Sequence, residues 1–148
     1  MNTSRDLAIS LLLLRLGVAA VMVPWAVDKL VRPEHTAGVF KGFYMISALS
    51  SEVAMALGIV QLLIIIGFLA GFARTWTYGA ILAMHAVSTI SSWKQYLSPY
   101  EGGNLLFFAA WPMLAACIAL FLLRDRDVLT VPATMRNQKA GAGAEAAS

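Results

Sequence analysis

Long apolar stretches without charge recur along this chain, and charged residues bound each of them. Four such stretches cover residues 7–27, 53–73, 75–93 and 102–123, with Arg15 as the single Asp, Glu, Lys or Arg inside any of them. A helix needs roughly 20 apolar residues to cross about 30 Å of hydrocarbon, and each stretch has about that length. The pattern therefore predicts an all-α protein, a four-helix transmembrane bundle.

The bundle is expected to form one membrane domain over residues 1–126. Residues 127–148 are expected to be a disordered cytoplasmic tail, because their end, "NQKAGAGAEAAS", has no apolar face. A secretory signal peptide is the alternative for the first stretch. A span is favoured there, because Arg15 interrupts the leucine run and no small-x-small cleavage site precedes Pro24.

The amino-acid composition indicates that the protein lies in a lipid bilayer. The chain has 148 residues, of which 59% are hydrophobic and 13% charged, whereas soluble domains carry about 25% charged residues. Four spans place both termini on one side, with six basic residues there against four on the other side. This bias favours cytoplasmic termini and a multi-pass protein of the cell inner membrane.

The connections and the small residues add detail to the bundle. Residues 28–51 contain "GVFKGFYMI", which has two readings: an interfacial or partly re-entrant segment, or a surface loop with aromatic anchors. The turn around Arg74 is short, so the second and third helices should be antiparallel neighbours. Gly67 and Gly71 form a G-x-x-x-G pair, and Ala54 and Gly58 extend it, which favours close packing inside the bundle over a dimer interface.

Few polar residues lie inside the predicted spans. Arg15, Gln61 and His85 should lie about 12, 20 and 16 Å from the cytoplasmic ends, at about 1.5 Å per residue. Ser88 shares a helix face with His85. These four residues form a candidate polar core or ligand site. Arg15 is expected to point inward and to donate to His85, Gln61 or a serine hydroxyl, and snorkelling to the surface is the alternative.

Three charged residues should lie together at the outer end. Asp28 and Lys29 end the first predicted helix, and Glu52 begins the second one on the same side. We therefore predict that Asp28 or Lys29 pairs with Glu52, in a rim-exposed contact of ~0–1 kcal/mol. Unpaired interfacial charge is the alternative.

Several kinds of chemistry are disfavoured. A bis-histidine haem needs two axial ligands at bundle depth, but His35 is assigned to a loop and only His85 qualifies. The single cysteine, Cys117, excludes an intrachain disulfide, and no spaced ligand set for a metal is present. No phosphate-binding glycine loop or G-x-S-x-G motif occurs, and the tryptophans suit membrane anchoring better than nucleic acid.

The arrangement resembles the DoxX-like family of small four-helix membrane proteins over residues 7–125. Three segments carry the resemblance: "LLLLRLGVAAVMVPWAVDKL", "SSEVAMALGIVQLLIIIGFLAGFAR" and "AMHAVST". Relatives in that family include a quinone-linked thiosulfate oxidoreductase subunit and a methylamine-utilisation membrane protein. The resemblance implies an inner-membrane protein that works with a redox protein partner, and it supplies no reaction.

Two functions are therefore expected. The first is an accessory or membrane-anchor subunit of a redox system, with a quinone as the candidate ligand or cofactor and no enzyme activity of its own. The second is a small transporter or lipophilic-ligand binder of the small multidrug-resistance kind. Such a transporter needs a carboxylate at mid-depth, and Glu52 lies near the outer end. The oligomeric state, including a homo-oligomer, is left open.

Overall fold

The computed structural model describes residues 3–47 and 49–145, and in these ranges the protein is helical without strands. The all-α expectation is confirmed. Short 3₁₀ turns occupy Asn104–Ala109 and Arg124–Arg126. The α-helices, in chain order, are α1 (Thr3–Val31), α2 (Pro33–Tyr44), α3 (Ser51–Ala70), α4 (Arg74–Ser91), α5 (Trp93–Leu97), α6 (Ala110–Leu122) and α7 (Val131–Glu145).

Helices α1, α3, α4 and α6 pack side by side and alternate in direction. The end of α1 meets the start of α3, where Gly58 approaches Lys29 and Leu30. The end of α3 meets the start of α4, where the Phe68 and Tyr78 rings lie 4.8 Å apart between centroids. The two most extensive packings are α1 along α3 and α4 along α6, so the bundle consists of two antiparallel helix pairs.

Small residues allow α1 and α3 to approach closely. Ala26 and Ala54 are completely buried between them. A Cβ atom on Gly58 would lie 2.9 Å from Cβ of Lys29 and 3.1 Å from the carbonyl oxygen of Ala26. Gly67 meets Thr77 of α4 in the same way. The expectation that these small residues serve packing inside the bundle agrees with these contacts.

The turn between α3 and α4 depends on Gly71. This residue ends α3 in the left-handed conformation, with φ 68°, which glycine adopts without a steric penalty. A Cβ atom there would also lie 2.3 Å from Cγ2 of Thr130. The turn is thus only three residues long, and α3 and α4 are antiparallel neighbours as the sequence predicted.

The outer connection contains a helix of 12 residues, α2, which packs against α1 and α3. Pro33 occupies its first turn, where a missing N–H costs nothing, and Met45 ends it in the left-handed conformation. His35 therefore lies on a helix, and its assignment to a loop is wrong. The apolar spacing within "GVFKGFYMI" provided the signal for this helix.

Among the described residues, three helical segments are long and apolar enough to cross a membrane: Ser4–Val31, Ser51–Ala70 and Asn104–Leu122. Only 33%, 28% and 11% of their apolar windows are buried, so most of these side chains face outward. Helix α4, predicted as a span over residues 75–93, is not among the three. It carries Arg74, His85 and several hydroxyl residues, which lower its hydropathy.

The chain after α6 differs from the expected tail. The predicted domain ends at residue 126, but Asp127 and Thr130 beyond it are buried against the bundle. Residues Val131–Glu145 form α7 rather than the expected disordered segment. The prediction considered only the missing apolar face, whereas polar contacts of Asp127 hold the start of this segment in place.

The contact at Gly58 gives a first testable prediction. Gly58→Ala should destabilise the protein by about 1–3 kcal/mol, because the new methyl group overlaps α1. Gly17→Ala is the matched control, since no atom lies within 4 Å of its Cβ position, and it should be neutral or stabilise by up to about 1 kcal/mol. Thermal unfolding in detergent measures both, and equal effects would contradict the packing described.

Candidate functional site

Arg15 lies inside the bundle and is only 2% exposed. Its Nη1 donates to the hydroxyl of Tyr78 at 3.1 Å and to Oδ2 of Asp127 at 3.2 Å, and its Nη2 donates to the carbonyl oxygen of Leu129. Tyr78 also donates to Oδ2 of Asp127, at 2.6 Å. We call these four residues the inner clasp. The prediction that Arg15 points inward is confirmed.

The predicted acceptors of Arg15 are wrong, because it contacts neither His85, Gln61 nor a serine hydroxyl in the part of the chain that the structure describes. Side chains on a helix lean toward its N-terminus, so the guanidinium of Arg15 extends toward the N-terminal end of α1. Tyr78 and Asp127 lie at that end. The tilt of helical side chains toward the N-terminus is the signal that could have predicted Tyr78 and Asp127 as partners instead of His85 and Gln61.

Arg74 holds the same segment from the start of α4. Its Nη1 donates to the carbonyl oxygens of Arg124 at 2.7 Å and of Asp127 at 2.8 Å. Nε of Arg15 and Oδ1 of Asp127 are buried without a hydrogen-bond partner among the described residues. The inner clasp therefore joins α1, α4 and the segment after α6.

The outer polar residues pair differently from the prediction. Oδ1 of Asp28 accepts from Nε of Arg32 at 2.7 Å, and its Oδ2 accepts from Nδ1 of His35 at 2.6 Å. Lys29 donates to the carbonyl oxygen of Trp25. Glu52 forms no ion pair with any residue the structure describes, so its predicted pairing with Asp28 or Lys29 is wrong.

The position of α2 explains the difference. Only Arg32 separates α1 from α2, so Asp28, Arg32 and His35 follow each other at helical spacing on one face. The nearest cations for Asp28 are therefore local. Glu52 remains in the first turn of α3, where the positive end of the helix dipole favours a carboxylate.

A cavity of about 1550 Å³ lies between the two helix pairs. Ligand pockets typically measure about 300–1,000 Å³, so this cavity has room for a lipid-sized molecule. Helix α2 lines its outer end with one stripe of side chains, spaced i, i+3, i+4, i+7 and i+8: Thr36, Val39, Phe40, Phe43 and Tyr44. Arg15 does not line it.

The cavity continues to the outside of the bundle. Leu13 and Val21 of α1 and Leu106 near α6 are exposed on the surface, yet they also line the cavity. Val60 and Val87 do the same on α3 and α4. The cavity is therefore open sideways, toward whatever surrounds the apolar helix faces.

The cavity wall is mostly apolar and carries few polar side chains. The structure brings Gln61, His85 and Ser88 to this one wall, together with Thr89 and Ser92. Asp28 and His35 lie where α2 lines its outer end. Thr89 was not singled out from the sequence, although it lies four residues after His85 on the same helix face.

Two of the buried polar residues that line the cavity, His85 and Gln61, differ in their bonding. Nε2 of His85 lies 3.0 Å from the carbonyl oxygen of Ala110 on α6. Gln61 is 8% exposed and lines the cavity, and no hydrogen bond from its amide to a described residue is found. Its amide is therefore free to bond a group inside the cavity.

Metal chemistry has no ligand set in the described ranges, where no group of three or more His, Cys, Asp and Glu residues could hold an ion. Comparison with protein-family models, curated proteins and solved structures finds no match for this chain. The features of this protein that point to a function are therefore the cavity and its chemistry.

The inner clasp gives a second testable prediction. Asp127→Ala should destabilise the protein by about 3–5 kcal/mol, because it leaves the Arg15 charge buried without its carboxylate. The double variant Arg15→Leu with Asp127→Leu should lose less, since no charge then remains buried.

Asp125→Ala is the matched control, because the Asp125 side chain is 80% exposed and lies two residues away. It should leave stability within about 0.5 kcal/mol of the parent. The folded fraction after heating, measured by size-exclusion chromatography in detergent, ranks the variants. A tolerated Asp127→Ala would show that the inner clasp does not stabilise the bundle.

Proposed function

We propose that this protein is an integral membrane protein that binds a lipophilic ligand with a polar head in the cavity between its two helix pairs. The observation that carries the proposal is an apolar, lipid-sized cavity that opens sideways and is lined by the amide of Gln61. Binding sites are typically concave and mostly apolar, with a few polar groups that orient the ligand.

We propose further that α4 is a fourth membrane span. It packs against both α3 and α6, which are long and apolar enough to cross. Its 18 residues reach roughly 27 Å, close to the hydrocarbon thickness. Its buried polar residues include Tyr78, His85 and Thr89, which face the bundle and not its surroundings. A polar inner face of this kind lowers the hydropathy of a span without exposing polar groups to lipid.

Both termini are proposed to lie in the cytoplasm of a cell inner membrane, because six basic residues flank that side of the spans against four on the other. Reporter fusions after Ser148 and after Gly102 test this topology together with the crossing of α4. The fusion after Ser148 should be active only with a cytoplasmic reporter, and the fusion after Gly102 only with a periplasmic one. A third fusion after Phe72, in the turn before α4, should be active only with a cytoplasmic reporter, and activity after Phe72 and after Gly102 on the same side would refute α4 as a span.

The cellular role proposed is that of an accessory or membrane-anchor subunit beside a redox protein partner, with a quinone as the ligand class. The DoxX-like resemblance supports this role, and the cavity supplies room for an isoprenoid chain. The transporter alternative of the small multidrug-resistance kind has less support. Its mid-depth carboxylate is missing, because Glu52 lies in the first turn of α3 and does not line the cavity.

Tryptophan fluorescence tests ligand binding directly. Of the four tryptophans, all of them in the described ranges, Trp25 alone lines the cavity. In a variant with the other three changed to Phe, a short-chain quinone should quench Trp25 fluorescence saturably at micromolar concentration. Quenching that rises linearly with the quinone, as in detergent without a site, would contradict the proposal.

A matched pair of glycine variants locates the site. Gly17 and Gly38 both have open space around their Cβ positions, but only Gly17 lines the cavity. Gly17→Phe should fill the cavity and weaken quinone binding at least about tenfold, whereas Gly38→Phe should leave it unchanged. Equal effects of the two variants would place the quinone elsewhere.

A further inference from the structure

The bonding of His85 defines one group on the cavity wall. Nε2 faces the carbonyl oxygen of Ala110, and since a carbonyl only accepts, Nε2 carries the hydrogen. Nδ1 of the neutral ring is then an acceptor. Nδ1 makes no hydrogen bond to any described residue and is not sealed from the cavity. Oγ1 of Thr89 lies 3.4 Å from Nε2 and not from Nδ1, and it donates its hydrogen to the carbonyl oxygen of His85 at 2.8 Å.

Gln61 adds a second open group, on α3. Its side chain is nine-tenths buried and lines the cavity, and no hydrogen bond from its amide to a described residue is found. An amide offers both a donor and an acceptor. The cavity therefore presents an unpaired imidazole acceptor on α4 and an unpaired amide on α3.

The charged side chains in the described lining of the cavity are Asp28 and Lys29. Both already have partners within the protein. The oxygens of Asp28 accept from Arg32 and His35, and Lys29 donates to the carbonyl oxygen of Trp25. A carboxylate or ammonium head would have to draw one of them out of these contacts to gain a counter-ion, which is unfavourable.

We infer that the ligand is a neutral lipid whose head carries a hydroxyl group, which donates to Nδ1 of His85 while Gln61 bonds the hydroxyl oxygen. The inference rests on the proposed function of the cavity as a ligand site. Two sources carry this chemistry, a phenolic head such as that of a reduced quinone and a long-chain aliphatic alcohol. The apolar remainder of the wall, including Val18, Met22 and Met113, receives the chain.

Competition between matched ligands tests the inference. The full chain with Trp25 as its single tryptophan is loaded with the quenching quinone, which is then displaced by farnesol or by 4-decylphenol. The methyl ether of each keeps the chain and the oxygen but has no hydrogen to donate. Each hydroxyl ligand should bind at least about tenfold more tightly than its ether, because the ether leaves Nδ1 without a donor. The tighter of the two hydroxyl ligands identifies the source.

His85→Phe should reduce this preference to about onefold, because it removes the acceptor and keeps a ring of similar size. His35→Phe is the matched control, since His35 also lines the cavity but already bonds Asp28. It should keep the preference. The wild-type comparison of alcohol with ether needs no variant, so it can overturn the inference even where His85→Phe fails to fold.

Three results would overturn the inference while the ligand cavity stands. They are equal binding of alcohol and ether, tighter binding of decanoate or decylamine than of the alcohol, and equal loss of preference in the two histidine variants. Absence of saturable quenching by the quinone in the parent protein is a different result, since it refutes the proposed function itself.

Discussion

The buried charge of Arg15 is the constraint on which the bundle depends. A guanidinium cannot lose its proton, and at the centre of a membrane helix it costs about 2.5–3.5 kcal/mol on insertion scales. It must therefore find acceptors inside the protein. Its carboxylate partner, Asp127, lies beyond the last long helix, so the chain must fold back under the bundle to bring it there. Thr130 then packs against Gly71, in the turn where only glycine fits.

This arrangement ties the bundle together at one end only. Leu11, Phe68 and Leu120 are buried beside the inner clasp, where α1, α3, α4 and α6 converge. The cavity lies between the α1–α3 pair and the α4–α6 pair, α2 lines its outer end, and Ser10 and Leu14 of α1 line it near the level of Arg15. The cavity and the inner clasp therefore overlap along α1 but use different side chains, because Arg15 points into the clasp and not into the cavity.

The helices were predictable from the sequence because span length and charge-free runs are local properties of the chain. The polar contacts were not, because they join distant parts of it. Arg15 and Asp127 are 112 positions apart, and Asp127 follows the last apolar stretch, where the pattern resembles a tail. The predicted ion pair of Glu52 was wrong for the opposite reason. A local helix, α2, intervened and supplied His35 to Asp28, at a spacing that the sequence already contained.

Charge alone would suggest Arg15 as the first candidate for ligand binding, but the structure favours other residues. Arg15 is the most conspicuous polar residue in the spans, but most of its donors are used within the protein, so little of its hydrogen-bonding capacity is left for a ligand. Gln61 and Nδ1 of His85 are less conspicuous, yet they lie at the cavity with their hydrogen-bonding capacity unused. Polar groups that are open to a cavity can bond a ligand without giving up a contact within the protein. In this bundle, such neutral groups indicate the ligand site better than the buried charge does.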